Sequence, residues 1–340
     1  MSITLKDIAE EVRLSVTTVS VVLRGDKTTH IAAETKQRIR DAAERLGYRH
    51  NIYARVLSTG KSRLIGLLTD SLLVEVGLSK LRAVDTIIRS KDYTTVMRNS
   101  EGVLKDEAQI LDEFAGRMTE GVIAIQGLQA SSYGSALSLM KRGIPVVSIE
   151  PVVGLDIDCI TIDRKHGAYI AAKHLIETGH ERIAILHGDL DYYTSQGKFQ
   201  GYKDALEEKG IPIYEKLVIP FGATGDPRDG YDSMKALLLR KAGLTAVFCN
   251  NDQLAFGAMR AILEAGLRIP EDIAVVGFDN IALSAYAPVP LTTVVQPVDE
   301  IARLATELLF ERIEGTNTTI PNQMIAVKPT LVVRQSSAIK

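Results

Sequence analysis

Two patterns of apolar residues divide the chain. In the first 62 positions they keep a helical period, and no strand-like run occurs. Leu5, Ile8, Ala9 and Val12 fall at i, i+3, i+4 and i+7, one stripe of a short helix. Thr4-Leu5-Lys6-Asp7 is a capping-box pattern whose hydroxyl and carboxylate satisfy the first free amides. A second helix can start from Ser15, an N-cap residue type, and turn Val19, Val22 and Leu23 inward. Only Arg13 and Leu14 separate these helices, and so tight a turn makes them cross steeply, as in a helix-turn-helix. A third helix is expected from about Ala33 to Leu46, stopped by Gly47. Three small helices give one minimal core.

From residue 64 onward short β-branched runs alternate with helical stretches. Strands are expected at Leu64 to Leu68, Gly121 to Ile125, Pro145 to Ile149, Cys159 to Ile162, Arg182 to Leu186, Leu217 to Ile219, Ala246 to Cys249, Ala274 to Val276 and Thr292 to Val295. Amphipathic helices fall at Lys105 to Met118, Gly167 to Thr178, Lys198 to Lys209, Tyr231 to Lys241, Asp252 to Ala265 and Val298 to Glu314. Continuous apolar strands separated by helices predict parallel sheets covered on both faces, a doubly wound α/β body. About 270 residues of this exceed one comfortable core, so two similar subdomains with a cleft between them are expected.

Charge sharpens the division. The net charge of −2 over 340 residues argues against a chain that is wholly a polyanion binder. Residues 1 to 62 nevertheless hold eleven Lys and Arg against seven Asp and Glu, so the head carries +4 and the remainder −6. A basic head on an acidic body is the pattern of a nucleic-acid reader joined to a sensor or enzyme. The lone Cys159 and Cys249 lie in apolar runs, as buried thiols of a reducing compartment do. The N-terminus has no apolar signal segment and no run is long enough to span a membrane, so a soluble cytoplasmic protein is expected.

Enzyme motifs are missing: there is no G-x-S-x-G, no H-E-x-x-H, no paired C-x-x-C, and no G-x-G-x-x-G at the first strand-to-helix turn. The six histidines show no i,i+4 pairing, and neither a metal nor a cofactor is expected. The second helix instead turns Val16, Thr17, Thr18, Ser20, Val21 and Arg24 outward. Hydroxyls and an Arg suit phosphates, while Val and Thr methyls suit a thymine methyl in the major groove. Asn51 to Leu57 could make about two helical turns, too few to be stable alone. In the body, polar residues gather where strands end: Asp163, Asp189, Asn250, Asn251, Asp252, Asp279 and Asn280. Open α/β sheets bind ligands at the carboxyl ends of their strands, and Asp and Asn suit hydroxyl-rich molecules; the same residues also serve as helix N-caps.

These residues resemble the LacI/GalR family of bacterial transcription regulators. The head carries Asp7-Ile8-Ala9, Ser15-x-x-Thr18-Val19-Ser20-x-Val22-Leu23, Glu34-Thr35-x-x-Arg38-Ile39 and Leu46-Gly47-Tyr48-Arg49-x-Asn51-x-x-Ala54-Arg55-x-Leu57. The body carries Asp163-x-x-x-Gly167, His174-Leu175-Ile176-x-x-Gly179-His180, Asn251-Asp252-x-x-Ala255-x-Gly257, Val276-Gly277-Phe278-Asp279 and Leu291-Thr292-Thr293-Val294-x-Gln296-Pro297. The resemblance implies a helix-turn-helix head on a periplasmic-binding-protein-like body of two doubly wound subdomains. It implies a homodimeric repressor on near-palindromic double-stranded operator DNA, with a carbohydrate-like effector between the lobes. It extends the DNA-contact set to Thr4, Ser15, His30, Thr35, Asn51, Ala54, Arg55 and Leu57, the last as a minor-groove wedge on a hinge helix. The implied effector residues are Leu72, Asp163, Lys198, Asn251 and Asp279.

The boundaries implied are a DNA-binding domain over 1–49, a hinge over 50–62 and an effector and dimerisation domain over 63–340. Within that body the N-subdomain takes about 63–163 and 294–325, and the C-subdomain about 164–291 and 326–340. The chain departs from the family pattern at Arg13 (usually Gly), Val21 (usually Arg), Ala32 (usually Ser) and His50 (usually Pro). In the cleft, Leu72 to Gly77 replace a loop with a stacking ring, Lys198 replaces an Arg, and Gly225 an aromatic. Because Val21 cannot donate to phosphate or guanine, an operator unlike the common family sequence is expected. A solute-binding protein of the same fold, or a regulator answering to a phosphorylated sugar or a protein corepressor, are the alternative readings.

Overall fold

The computed structural model describes residues 3–24, 31–48, 61–72, 74–101, 103–128, 130–152, 154–190, 193–222, 225–315 and 321–338. His30, Asn51, Ala54, Arg55 and Leu57, and the side chain of Arg24, lie outside the described set. The chain forms two compact units, Met1–Ser62 and Arg63–Lys340.

The head contains α1 (Leu5–Val12), α2 (Val16–Arg24) and α3 (Ala33–Arg45). The Thr4 box closes in both directions: Thr4 N donates to Asp7 Oδ2 at 2.7 Å and Asp7 N donates to Thr4 Oγ1 at 3.4 Å. Ser15 Oγ accepts from Thr18 N at 3.1 Å and starts α2. Arg13 ends α1 in the left-handed conformation at φ +53°, where a side chain costs about 1 kcal/mol relative to glycine. Ile8, Val12, Val19, Val22, Ile39 and Ala42 fill the core. Ala32 has no side-chain acceptor, so α3 begins uncapped, but Arg38 donates to the Val12 carbonyl at 3.2 Å and Arg45 pairs with Glu11 at 2.8 Å.

The body's N-lobe consists of β1 (Leu64–Thr69), α4 (Glu75–Ser90), β2 (Thr94–Asn99), α5 (Leu104–Gly116), β3 (Gly121–Ala124), α6 (Tyr133–Lys141), β4 (Val146–Ile149) and β5 (Asp158–Ile162). The C-lobe follows as α7 (Arg164–Glu177), β6 (Ile183–His187), α8 (Tyr193–Glu208), β7 (Val218–Pro220), α9 (Pro227–Leu239), β8 (Ala246–Cys249), α10 (Asp252–Glu264), β9 (Ala274–Asp279) and β10 (Thr292–Val295). The chain then returns with α11 (Val298–Ile313) and β11 (Met324–Val327) to the first sheet and ends with β12 (Thr330–Val332) in the second. The sheets run β11-β5-β4-β3-β1-β2, all parallel, and β12-β10-β9-β8-β6-β7, parallel except for the antiparallel β12. Each is covered on both faces by apolar clusters, and Cys159 and Cys249 are buried. No described helix is long and apolar enough to cross a membrane.

Strands β2, β11 and β12 and helices α4 and α6 go beyond the elements expected from sequence. These three strands are sheet edges, paired on one side only, so their polar outer positions interrupt the apolar run that marks a central strand. The two later crossovers fall slightly after the expected positions: Val294 and Val295 still pair with β9, and Ala326 and Val327 still pair with β5. In the C-lobe two helix pairs approach to backbone contact at glycines; a Cβ on Gly257 of α10 would stand 1.8 Å from the Pro227 carbonyl of α9. Such close pairs bring the helix N-termini, and the strand ends beside them, into one compact rim.

Candidate functional site

The head presents a built face. Val19 and Val22 of α2 are buried, whereas Val16 is 44% exposed, Thr17 is exposed, and Thr18, Ser20 and Val21 are half-exposed. An exposed valine beside hydroxyls on a helix already anchored by its other face is suited to contact rather than to core. Thr4 and Ser15 are exposed and Thr35 is half-exposed. Thr4 and Ser15 hold the first turns of α1 and α2, so their hydroxyls are engaged in capping.

In the body, strand carboxyl ends from both lobes converge on a cleft, and charge accumulates there. Lys80 on α4 and Glu150 after β4 come from the N-lobe; Arg164 at the start of α7, Lys198 on α8 and Asp279 at the end of β9 come from the C-lobe. Arg164 grips Glu150 in a bidentate pair, Nη1 to Oε2 at 2.6 Å and Nη2 to Oε1 at 2.5 Å, and Lys80 Nζ adds 3.2 Å to Oε1. All three side chains are buried, and the pair ties one lobe to the other. On the rim, Ala282 N donates to Glu75 Oε1 at 3.1 Å across the same gap. Burial by itself would raise the Glu150 carboxyl, but Arg164 and Lys80 outweigh it and hold the group below the usual carboxylate range.

Lys198 is buried, donates to the Asn250 carbonyl at 2.7 Å and lies 4.0 Å over the Phe278 ring; burial pushes its ammonium down to about 8. Asp279 Oδ1 accepts from Gln296 Nε2 at 2.6 Å, and burial raises its carboxyl despite Lys198 nearby. The other expected residues are engaged in folding. Asp163 caps α7 through His166 N at 2.8 Å, and Asn251 caps α10 through Leu254 N at 2.7 Å while its amide donates to the Gly225 carbonyl at 3.1 Å. Leu72 stands exposed after β1. A cavity of about 780 Å³ at the strand ends of the C-lobe is lined by His187, Asp189, Ser195, Phe221, Asn250 and Asn251. Another of about 530 Å³ is lined by Thr161, Asp163, Arg164 and Tyr193. Phe221 supplies a ring to the larger cavity, whereas the family's ring positions in the 72–77 loop and at Gly225 carry none.

Sequence reasoning also passed over Lys80, Glu150 and Arg164, and took Asp252 only as one polar strand-end residue. Asp252 is wholly buried, accepting from Ser284 Oγ at 2.6 Å, Thr293 Oγ1 at 2.5 Å and Ile281 N at 2.9 Å. Burial, reinforced by Asp279, raises its carboxyl to about 7. The unfolded carboxyl titrates near 4, so the folded chain holds an extra proton between roughly pH 4 and pH 7. The stability this confers is complete at the acid end of that window and is lost as pH rises through 7. Between about pH 5 and pH 8 the melting temperature is therefore expected to decline, and D252N to flatten that part of the profile. An unchanged slope in D252N would assign the decline elsewhere.

Known proteins agree with this organisation. Residues 4–51 match the family model of bacterial regulatory proteins of the lacI family, and residues 172–337 match the periplasmic binding protein-like domain. The HTH-type transcriptional repressor PurR of Proteus mirabilis is 36% identical over 98% of this chain and 97% of its own length. The lac repressor dimer bound to operator and the anti-inducer ONPF superposes over all of both chains with TM-score 0.85 at 24% identity, a likeness of fold. The transcriptional regulator CelR in complex with cellobiose is 26% identical, with TM-score 0.72 over 98% of this chain and 99% of that one. Head, two-lobed body and full-length similarity to repressors coincide in one molecule: the chain belongs to the LacI family of bacterial regulatory proteins and is a DNA-binding transcriptional repressor of that type rather than an enzyme.

Proposed function

We propose that the chain binds a near-palindromic operator as a homodimer, α2 of each protomer entering a major groove, and that a small hydroxyl-bearing molecule held between the lobes sets its affinity. The exposed face of α2 carries the reading. Val16 and Val21 offer methyl contacts to thymine, and Thr17, Thr18 and Ser20 offer hydroxyls; Arg24 belongs to the same set by its place in the sequence. Asn51, Ala54, Arg55 and Leu57 complete the DNA-contact set in this reading, together with Thr4, Ser15, His30 and Thr35.

The cleft supports the second half of the proposal. A cavity of about 780 Å³ on the C-lobe side lies within the range of small-molecule sites and is edged by polar groups and one ring. Asp279 and Asn251 bring acceptor and amide chemistry suited to a carbohydrate, as the cellobiose bound to CelR illustrates for that protein. A ligand that prefers one closure of the lobes must shift operator affinity by the same free energy with which the operator shifts its own binding.

Selection of duplexes from a randomised pool by the full chain tests the operator reading. An inverted repeat with half-sites about 10 base pairs apart, centre to centre, is the expected product. Recovery of single asymmetric sites would overturn the dimeric reading.

A further inference from the structure

Thr161 pairs on β5 with Ala326 of β11, is only 3% exposed, and its hydroxyl meets no hydrogen-bond partner among the described residues. An unmet buried hydroxyl costs about 1–3 kcal/mol, and valine would fill the same place in a strand without that cost. The residue lines the cavity of about 530 Å³, a volume within the range of small-molecule sites.

This cavity lies apart from the charged cluster and from the larger cavity of the C-lobe. Along α8 it takes Tyr193, Gln196, Gly197 and Gln200, spaced i, i+3, i+4 and i+7 on the solvent side, whereas Ser195 and Lys198 are buried on the opposite side. Its space comes from the way two helices meet. At Gly201 of α8 a Cβ would stand 2.0 Å from the Lys165 carbonyl oxygen of α7; at Gly197, one turn earlier, the nearest atom would be Arg164 Cβ at 3.4 Å. The helices therefore part toward their N-termini, and Thr161 and Ala326 of the N-lobe close the gap from the other side. Both lobes contribute walls.

The charged groups around the cavity already have partners: Asp163 caps α7, Arg164 is held by Glu150, and Lys165 pairs with Asp204 at 2.7 Å. What remains open is carbon, from Leu190, Phe199, Ala326 and the Tyr193 ring, with the Thr161 hydroxyl as its buried polar point and the Gln196 amide at the exposed rim. A charged molecule would find no unengaged counter-charge there, and a polyhydroxylated ring would set most of its hydroxyls against carbon.

We propose that this cavity is a separate ligand site for an uncharged aromatic molecule bearing one hydroxyl or carboxamide, its polar end bonded to Thr161 Oγ1 and its ring against Leu190, Phe199 and Tyr193. A molecule held by both lobes binds one degree of closure better than another, and so shifts closure by the same free energy.

Saturation-transfer NMR titrations on the full chain test the site, with phenol and benzamide as probes and toluene, benzoate and glucose as counterparts. Saturable binding of phenol or benzamide is expected, with toluene weaker because it leaves the hydroxyl unmet. T161V keeps the side-chain shape and removes a hydroxyl that has no described partner, so the fold is retained. It should weaken the polar probe about tenfold and strengthen toluene, reversing the preference. A326L, at an exposed position of an edge strand, should fill the cavity and abolish both. Absence of saturable binding, or equal binding of the probes to wild type, T161V and A326L, would overturn the site. Tighter binding of benzoate or glucose than of either probe, lost in A326L, would overturn the ligand class.

Discussion

Replacing Glu150 with glutamine is expected to cost the body about 3–5 kcal/mol, the range found when one partner of a buried ion pair is removed. Among the described residues the carboxylate is the one group that forms an ion pair with both Arg164 and Lys80, and neither cation has another described ion-pair partner. E150Q therefore leaves two buried positive charges facing a neutral amide. Urea unfolding followed by far-ultraviolet circular dichroism reads the loss. The triple variant K80M/E150M/R164M separates charge from space: well-packed apolar residues of similar volume often restore stability to a disrupted buried pair. Recovery in the triple variant with loss in E150Q is the expected combination, and E150Q within about 0.5 kcal/mol of wild type, the scatter of ordinary surface substitutions, would refute the pairing. The acid side offers an independent check. Because the folded Glu150 carboxyl lies below its unfolded value, its stabilisation is complete above about pH 4.3 and disappears as pH falls through the lower folded value.

The same cluster shows what a single chain of letters reveals about a site. Features written in adjacent residues were legible: the Thr4 box, the Ser15 cap, the two-residue turn and the inward Val19 and Val22 all form as their local chemistry demands. So did the alternation of apolar strands with helices, because a strand buried on both faces must be apolar along its whole length. Of the four edge strands, β2, β11 and β12 escaped because half of their surroundings are solvent, whereas β7 was legible through its buried Ile219. The Lys80–Glu150–Arg164 cluster escaped for a different reason: Lys80 and Glu150 stand 70 residues apart and meet only after β1, β3 and β4 have paired. No spacing rule reaches that far.

Asp163 and Asn251 follow strands, as ligand residues do; their side chains satisfy helix amides, and both residues also line cavities. Arg164, one position beyond Asp163, carries the charge that faces the other lobe. A polar residue at a strand end has two tasks open to it, and only the position of the next helix decides between them. Lys198 was visible as a departure from the family pattern; what sequence could not show is that the fold leaves it without an anion.

Operator affinity is expected to fall steeply with salt, by on the order of a thousand-fold between about 50 and 200 mM for a dimer making at least six phosphate contacts. The net charge of −2 points the other way, since a slightly acidic protein gains nothing on average from a polyanion. Averages do not govern binding at these distances, however. The Debye length is about 8 Å at physiological ionic strength, so a phosphate responds chiefly to the groups beside it. The head is the basic unit, with +4 over its 62 residues, and the body holds the −6. A plot of log affinity against log salt should be linear with a slope of about −0.9 per phosphate contacted, and K36A or R40A, which leave the core of the head untouched, should each reduce its magnitude by close to one unit where the residue makes such a contact. Val21 has no charge to contribute, so V21A should leave the slope unchanged while altering the sequence selected. A flat salt response would remove phosphate contact as the source of affinity and with it the case for the head as the reader; a steep slope with V21A indifferent to sequence would keep the head and remove α2 from base recognition.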